Sequence, residues 1–247
     1  MSAGPVGRET LVRDVLTTVA GAPRAFERHR VDYCCHGALP LESACERVGA
    51  RVADVLAALA EESSRPGAEP PWTDPFAHAA FEELVRHLAA EVHAAARVDA
   101  VALQALVTPI ASRSDAHRAI AAEIERLCHE LETHMAFEER YVFPYVVALE
   151  RTGEIPPALF HSVVDPFAKL LREHEAADDS LDQLRALTLG YTPPASADRE
   201  TRALYAALAA FDKALVHHMH LEGNLLFPRV VQFESSARRP VARRSRR

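Results

Sequence analysis

The chain has 247 residues, a formal net charge of −7, 49% hydrophobic and 26% charged residues, the balance of a globular protein of one or two domains. Nine glycines against a large excess of Ala, Leu, Glu and Arg favour helix over an all-β fold, which consumes glycine in turns. Four cysteines, Cys34, Cys35, Cys45 and Cys128, are too few and too uneven for a disulfide framework, while 13 histidines demand an explanation.

The N-terminus is charged too early to hold a signal peptide's apolar core, and no run approaches the ~20 apolar residues of a membrane span, so a cytoplasmic location and no membrane partner are expected. Residues 1–62 read as a small helical domain. Three short amphipathic runs there place apolar residues three and four apart, as at Leu11, Val15 and Val19 and at Val48, Val52, Val55 and Leu59. Residues 63–75 (SSRPGAEPPWTDP) are proline-rich and read as a linker. The last stretch, 235–247, is arginine-rich and reads as a solvated tail, with no nucleic-acid partner expected.

Between them, residues 76–234 read as four long helices. The first runs from about Phe76 to Val107, and the second from a Ser114 or Asp115 cap to about Arg151 with Gly153 as its stop. The third follows Pro156 and Pro157 to about Leu189, and the fourth covers about Ala197–Glu234. Short connections make such helices antiparallel neighbours in an all-α, up-down four-helix bundle.

The second and fourth helices share a repeat. HMAFEERYVFP (His134–Pro144) and HMHLEGNLLFP (His218–Pro228) match at His, Met, Glu, Phe and Pro with a constant offset of 84 residues. In each copy His and Glu stand four apart, His134 with Glu138 and His218 with Glu222, so both project from one helix face. The first and third helices add single histidines, His93 and His174. His87, which pairs with Glu91 at the same spacing, competes with His93. Two hairpins with pseudo-twofold symmetry would thus bring four histidines and two glutamates to one point.

Facing carboxylates in a core are costly unless neutralised, and two cations bridged by them solve the problem. Mixed imidazole and carboxylate ligation points to iron first and manganese second. Zinc fits less well, since HELETH (129–134) spaces its histidines five apart rather than four. His117 stands 17 residues before His134, roughly 25 Å along one helix, too far to share the centre. The Phe–Pro pair ending each repeat reads as core packing and a kink or exit.

Together, VDYCCHG (Val31–Gly37) and the two HMxxE…FP repeats resemble the iron–sulfur cluster repair di-iron proteins, the repair of iron centres family, with a double-cysteine N-terminal domain and a hemerythrin-like bundle. The resemblance implies two iron ions in a non-haem, oxo-bridged centre ligated by His93, His134, Glu138, His174, His218 and Glu222, with both glutamates bridging. It favours His93 because the family also has a histidine six residues earlier, as His87 stands here. His36 departs from the family's glycine. The implied function is repair of iron–sulfur proteins damaged by nitrosative or oxidative stress, with iron or a nitrosyl group passing through Cys34 and Cys35. Nitric oxide or oxygen are the implied small ligands, and a homodimer is compatible. A hemerythrin-like gas sensor and a nitric oxide- or nitrite-processing enzyme use the same open site, so the residues alone leave all three readings standing.

Overall fold

A computed structural model describes residues 6–34, 36–72 and 75–238. Cys35 and residues 239–247 of the arginine-rich tail lie outside the described residues, as do Thr73 and Asp74 in the proline-rich stretch. The described chain is all-α, and no helix in it is long and apolar enough to cross a membrane. It divides into two compact units, Met1–His78 with Met219–Leu225, and Ala79–His218 with Leu226–Arg247.

The first unit holds α1 (Val12–Thr18), α2 (Ala22–Arg28), α3 (Leu41–Arg47) and α4 (Val52–Ser63). Helices this short are marginal alone, so packing holds them: Val12, Val15, Leu16, Phe26, Leu41 and Val55 are fully buried. Gly21 adopts a left-handed conformation (φ 71°) to open α2 against Glu62, a site where any Cβ would be strained. Arg28 reaches Glu61 and Glu62 at 2.8 and 2.5 Å. The stretch after α4 returns onto this unit, with Gly21 N–H donating to the Glu69 carbonyl and Trp72 N–H to that of Leu16.

The segment Met219–Leu225 joins this unit through two buried side chains. Asn224 Nδ2 lies 2.7 Å from the Tyr33 carbonyl and 2.8 Å from His220 Nδ1. The His220 ring meets Trp72 edge-on at 4.6 Å, and Trp72 in turn meets Tyr33.

The second unit is built on four long helical stretches. The first comprises α5 (Phe81–His87), a π-turn (Leu88–Val92) and α6 (His93–Val107). The second comprises α7 (Asp115–Phe137), a π-turn (Glu138–Val142) and α8 (Phe143–Thr152). The third is α9 (Val164–Leu187), and the fourth is α10 (Arg199–His220), a π-turn (Leu221–Leu226) and α11 (Phe227–Ala237), a continuous run of which Met219–Leu225 belongs to the first unit. α5 packs on α8 and α6 on α7, so the first two stretches run antiparallel, and α7 also packs on α9. The α7 stripe of Ile120, Ile124, Leu127, Leu131 and Met135 is the inward face.

Ser114 caps α7, its Oγ accepting from His117 N–H, and Gly153 closes α8 in a left-handed turn (φ 67°). Two expected starts move. The first helix begins at Phe81 rather than Phe76, because the Glu150 carboxylate accepts from the N–H groups of Phe81 and Glu82 (2.8 and 2.9 Å) and so supplies the cap from the neighbouring helix. The third begins at Val164 rather than just after Pro157, with the buried Glu234 carboxylate accepting from Ser162 Oγ and Val163 N–H ahead of it. Nor does either Phe–Pro pair end its helix. A π-turn precedes each, with the Phe143 N–H reaching the Glu138 carbonyl five residues back, and the helix continues from there.

Candidate metal centre

Each long stretch delivers its side chain at the level of the π-turns. His93 follows the first turn directly, Glu138 opens the second, and Glu222 lies within the third, four residues after His218 on the same unbroken helical run. His174 comes from the middle of α9. All six groups are buried: His93, Glu138 and Glu222 are 0% exposed, His218 1%, His174 2% and His134 4%.

The donors fall into two overlapping sets. Ligand atoms of His93, Glu138, His218 and Glu222 all lie within 4.8 Å of one another, as do those of His134, His174 and Glu222. Glu138 Oε2 stands 3.5 Å from His93 Nε2 and 3.3 Å from His134 Nε2, so this carboxylate touches one imidazole from each set. His134 and His174 bring their Nε2 atoms to 3.2 Å, and the rings of His93 and His218 lie 4.8 Å apart. The imidazoles are therefore paired across hairpins, first stretch with fourth and second with third. This is what a pseudo-twofold axis relating the two hairpins requires.

The donor chemistry fits a metal pair. Two fully buried carboxylates among four imidazoles form a set that cations neutralise and hydrophobic packing cannot. A His/Glu site able to coordinate a metal pair is present. His87 is not in it: its ring is half-buried and pairs with Glu91 at 3.2 Å. His117 stays at the start of α7 on Ser114.

Around the donors lie groups that spacing did not reveal. His93 Nδ1 is 2.9 Å from Glu139 Oε1, and Arg97 holds Glu139 and Glu132 together. His134 Nδ1 is 3.2 Å from Glu173, which Lys169 holds at 2.5 Å. Burial pushes the Glu173 carboxyl up, but hydrogen bonds from His134 and Lys169 outweigh it and bring the pKa down to about 2. Burial likewise opposes Glu139, yet Arg97 and His93 leave its carboxyl below the usual range. The repeated phenylalanines also have a task here, since Phe143 stacks on His93 (5.5 Å) and Phe227 on His174 (6.1 Å). Sequence held one signal for the carboxylates, a glutamate adjacent to a ligand in Glu138–Glu139 and Glu173–His174, but both contacts cross between helices.

Cys34 is buried, its N–H donating to Asp32, whose other oxygen lies 2.5 Å from His36 Nδ1. Cys35 is outside the described residues. Desolvation pushes the Cys128 thiol up to about 11 and raises that of Cys45, as expected for thiols that serve packing.

With this geometry in hand, known proteins give a consistent comparison. The hemerythrin HHE cation binding domain matches residues 76–230, and a domain of unknown function matches residues 8–63. An iron-sulfur cluster repair protein YtfE from Edwardsiella ictaluri is 30% identical over 228 residues, covering 91% of this chain and 97% of that protein. A probable iron-sulfur cluster repair protein from Haemophilus influenzae is 28% identical over 224 residues, covering 88% and 95% respectively. The YtfE protein of Musicola paradisiaca is 28% identical over 232 residues, covering 92% and 99%.

Proposed function

Because this chain belongs to the iron–sulfur cluster repair family with a hemerythrin-like domain, we propose that it restores iron–sulfur proteins damaged by nitrosative or oxidative stress, donating iron held by its buried His–Glu cluster. The observation that carries the reading is the convergence of six buried nitrogen and oxygen donors from four helical stretches into two overlapping sets.

His93, His134, Glu138, His174, His218 and Glu222 would hold two iron ions, with Glu222 common to both donor sets and Glu138 beside an imidazole of each. Iron held there would supply a centre for nitric oxide or oxygen and a pool that a client can draw on. The protein's own part is to keep the donors dry and aimed. Glu139 and Glu173 face Nδ1 of His93 and His134 and direct Nε2 inward, and Phe143 and Phe227 fix two ring planes. Four imidazoles and two carboxylates are a donor set that suits non-haem iron. Cys34 and Cys35 are the second station, receiving iron or a nitrosyl group in transit. The clients are damaged iron–sulfur proteins of the cytoplasm, and a homodimer is compatible with this scheme.

The test is reconstitution. Iron-loaded protein, incubated anaerobically with an enzyme whose cluster has been damaged, should restore activity faster than the same amount of ferrous salt. Recovery no better than the salt overturns donation.

A further inference from the structure

We infer that Glu139, anchored by Arg97, is the positioning residue that fixes the His93 ring for metal ligation, an assignment that rests on the reading of the cluster as a metal centre. Glu138 and Glu139 are consecutive, and they address the two nitrogens of one ring on the neighbouring helix. Glu138 Oε2 lies 3.5 Å from His93 Nε2, and Glu139 Oε1 lies 2.9 Å from Nδ1. A carboxylate oxygen only accepts from a ring N–H, so the shorter contact assigns a proton to Nδ1 and leaves Nε2 as the nitrogen that faces the cluster.

Arg97 stops that carboxylate from swinging. It stands one turn after His93 and donates to both Glu139 oxygens (2.9 and 3.2 Å) and through Nε to Glu132 (2.8 Å). A guanidinium fork spread over two carboxylates is a stiffer anchor than an ammonium. The ring is thus held at its edge by Glu139 and on its face by Phe143, and the same two residues line a surface groove of about 680 Å³ with Val85 and Ala89. The device belongs to one half of the pseudo-symmetric pair. The position equivalent to Glu139 in the second repeat is Gly223, which has no carboxylate to offer.

Two measurements decide the matter. In the metal-free full chain with ¹⁵N-labelled histidine, His93 Nδ1 should carry a proton, and Glu139→Ala should reduce the occupancy of that proton. In the iron-loaded chain, Glu139→Ala should speed loss of ferrous iron to a chelator by about 10- to 100-fold. Glu139→Gln, which keeps an acceptor in place, should recover most of the difference, whereas Glu132→Ala, which removes one of the two carboxylates that hold Arg97, should speed release by less than Glu139→Ala does. If Glu139→Ala does not fold, Arg97→Gln carries the test, with an increase in release rate in the same direction. A wild-type His93 with no proton on Nδ1, or iron release from folded Glu139→Ala at the wild-type rate, overturns the assignment. Failure of the wild-type chain to take up iron overturns the proposed function itself.

Discussion

The Nε2 atoms of His134 and His174 face each other at 3.2 Å inside the bundle, with neither residue more than 4% exposed. That separation suits two nitrogens at adjacent corners of one metal ion. His174→Ala should therefore lower bound iron from two per chain toward one, because the His134 set has His174 and Glu222 as its other members. Elemental analysis of the folded variant checks this, and two irons retained would show that His174 is not a ligand.

Glu138 illustrates the conflict between stability and function. A fully buried carboxylate costs free energy without a cation, so Glu138→Gln should leave the metal-free chain as stable as wild type, or more so. Iron at one hundred times its dissociation constant should stabilise the wild type by about 2.7 kcal/mol, a rise in melting temperature of roughly 5–10 °C for a chain of this size. Anaerobic melts with and without ferrous iron should show that rise shrinking in Glu138→Gln.

Acid should act through Glu234. It is 2% exposed and accepts from Tyr145 Oη (2.5 Å), Ser162 Oγ (2.6 Å) and Val163 N–H (3.2 Å). Burial pushes this carboxyl up, but the hydrogen bonds prevail and hold it below the ordinary value. A depressed folded pKa gives stability that is complete above the unfolded carboxylate value and is lost as pH falls through the folded one. Glu234→Gln should therefore cost about 1–3 kcal/mol at neutral pH and flatten the loss of stability below about pH 5. A denaturation series from pH 7 to pH 3 measures both, and parallel curves for the two proteins would exclude Glu234 as the acid-sensitive group.

Gly37 is required by its neighbour, not by its backbone angle. A Cβ there would overlap Asn224 Oδ1 and come 2.5 Å from Cγ. Gly37→Ala should destabilise the first unit by about 1–3 kcal/mol, and adding Asn224→Ala should give back part of that loss by clearing the space. Limited proteolysis and thermal melts of the single and double variants measure the coupling, which strict additivity would refute.

Much of this was legible because it follows helical phase. The His-x-x-x-Glu spacing in each repeat, the cap at Ser114 and the stop at Gly153 are local, and local spacing decides them. What was hidden depends on contacts between distant segments. Glu150 sets the start of α5 from 68 and 69 residues away, Glu139 and Glu173 meet their histidines across helices, and Asn224 reaches Tyr33 across 191 residues. His87 rivalled His93 in the sequence because it stands four residues before Glu91, and what sets the two apart is burial among the other donors, which spacing along one helix does not show.

Leu88 and His93 are both fully buried although five residues separate them, an interval that would set them about 140° apart around an α-helix. The His93 N–H, bonded to the Leu88 carbonyl, absorbs the difference. Position around this helix is therefore indexed by hydrogen bonds and not by counting residues. Removing Ala89 or Ala90 would exchange the wide turn for an ordinary one and leave the same imidazole aimed at the same place. The cluster thus has a slot beside it where the chain can shorten by one residue while the imidazole stays on target.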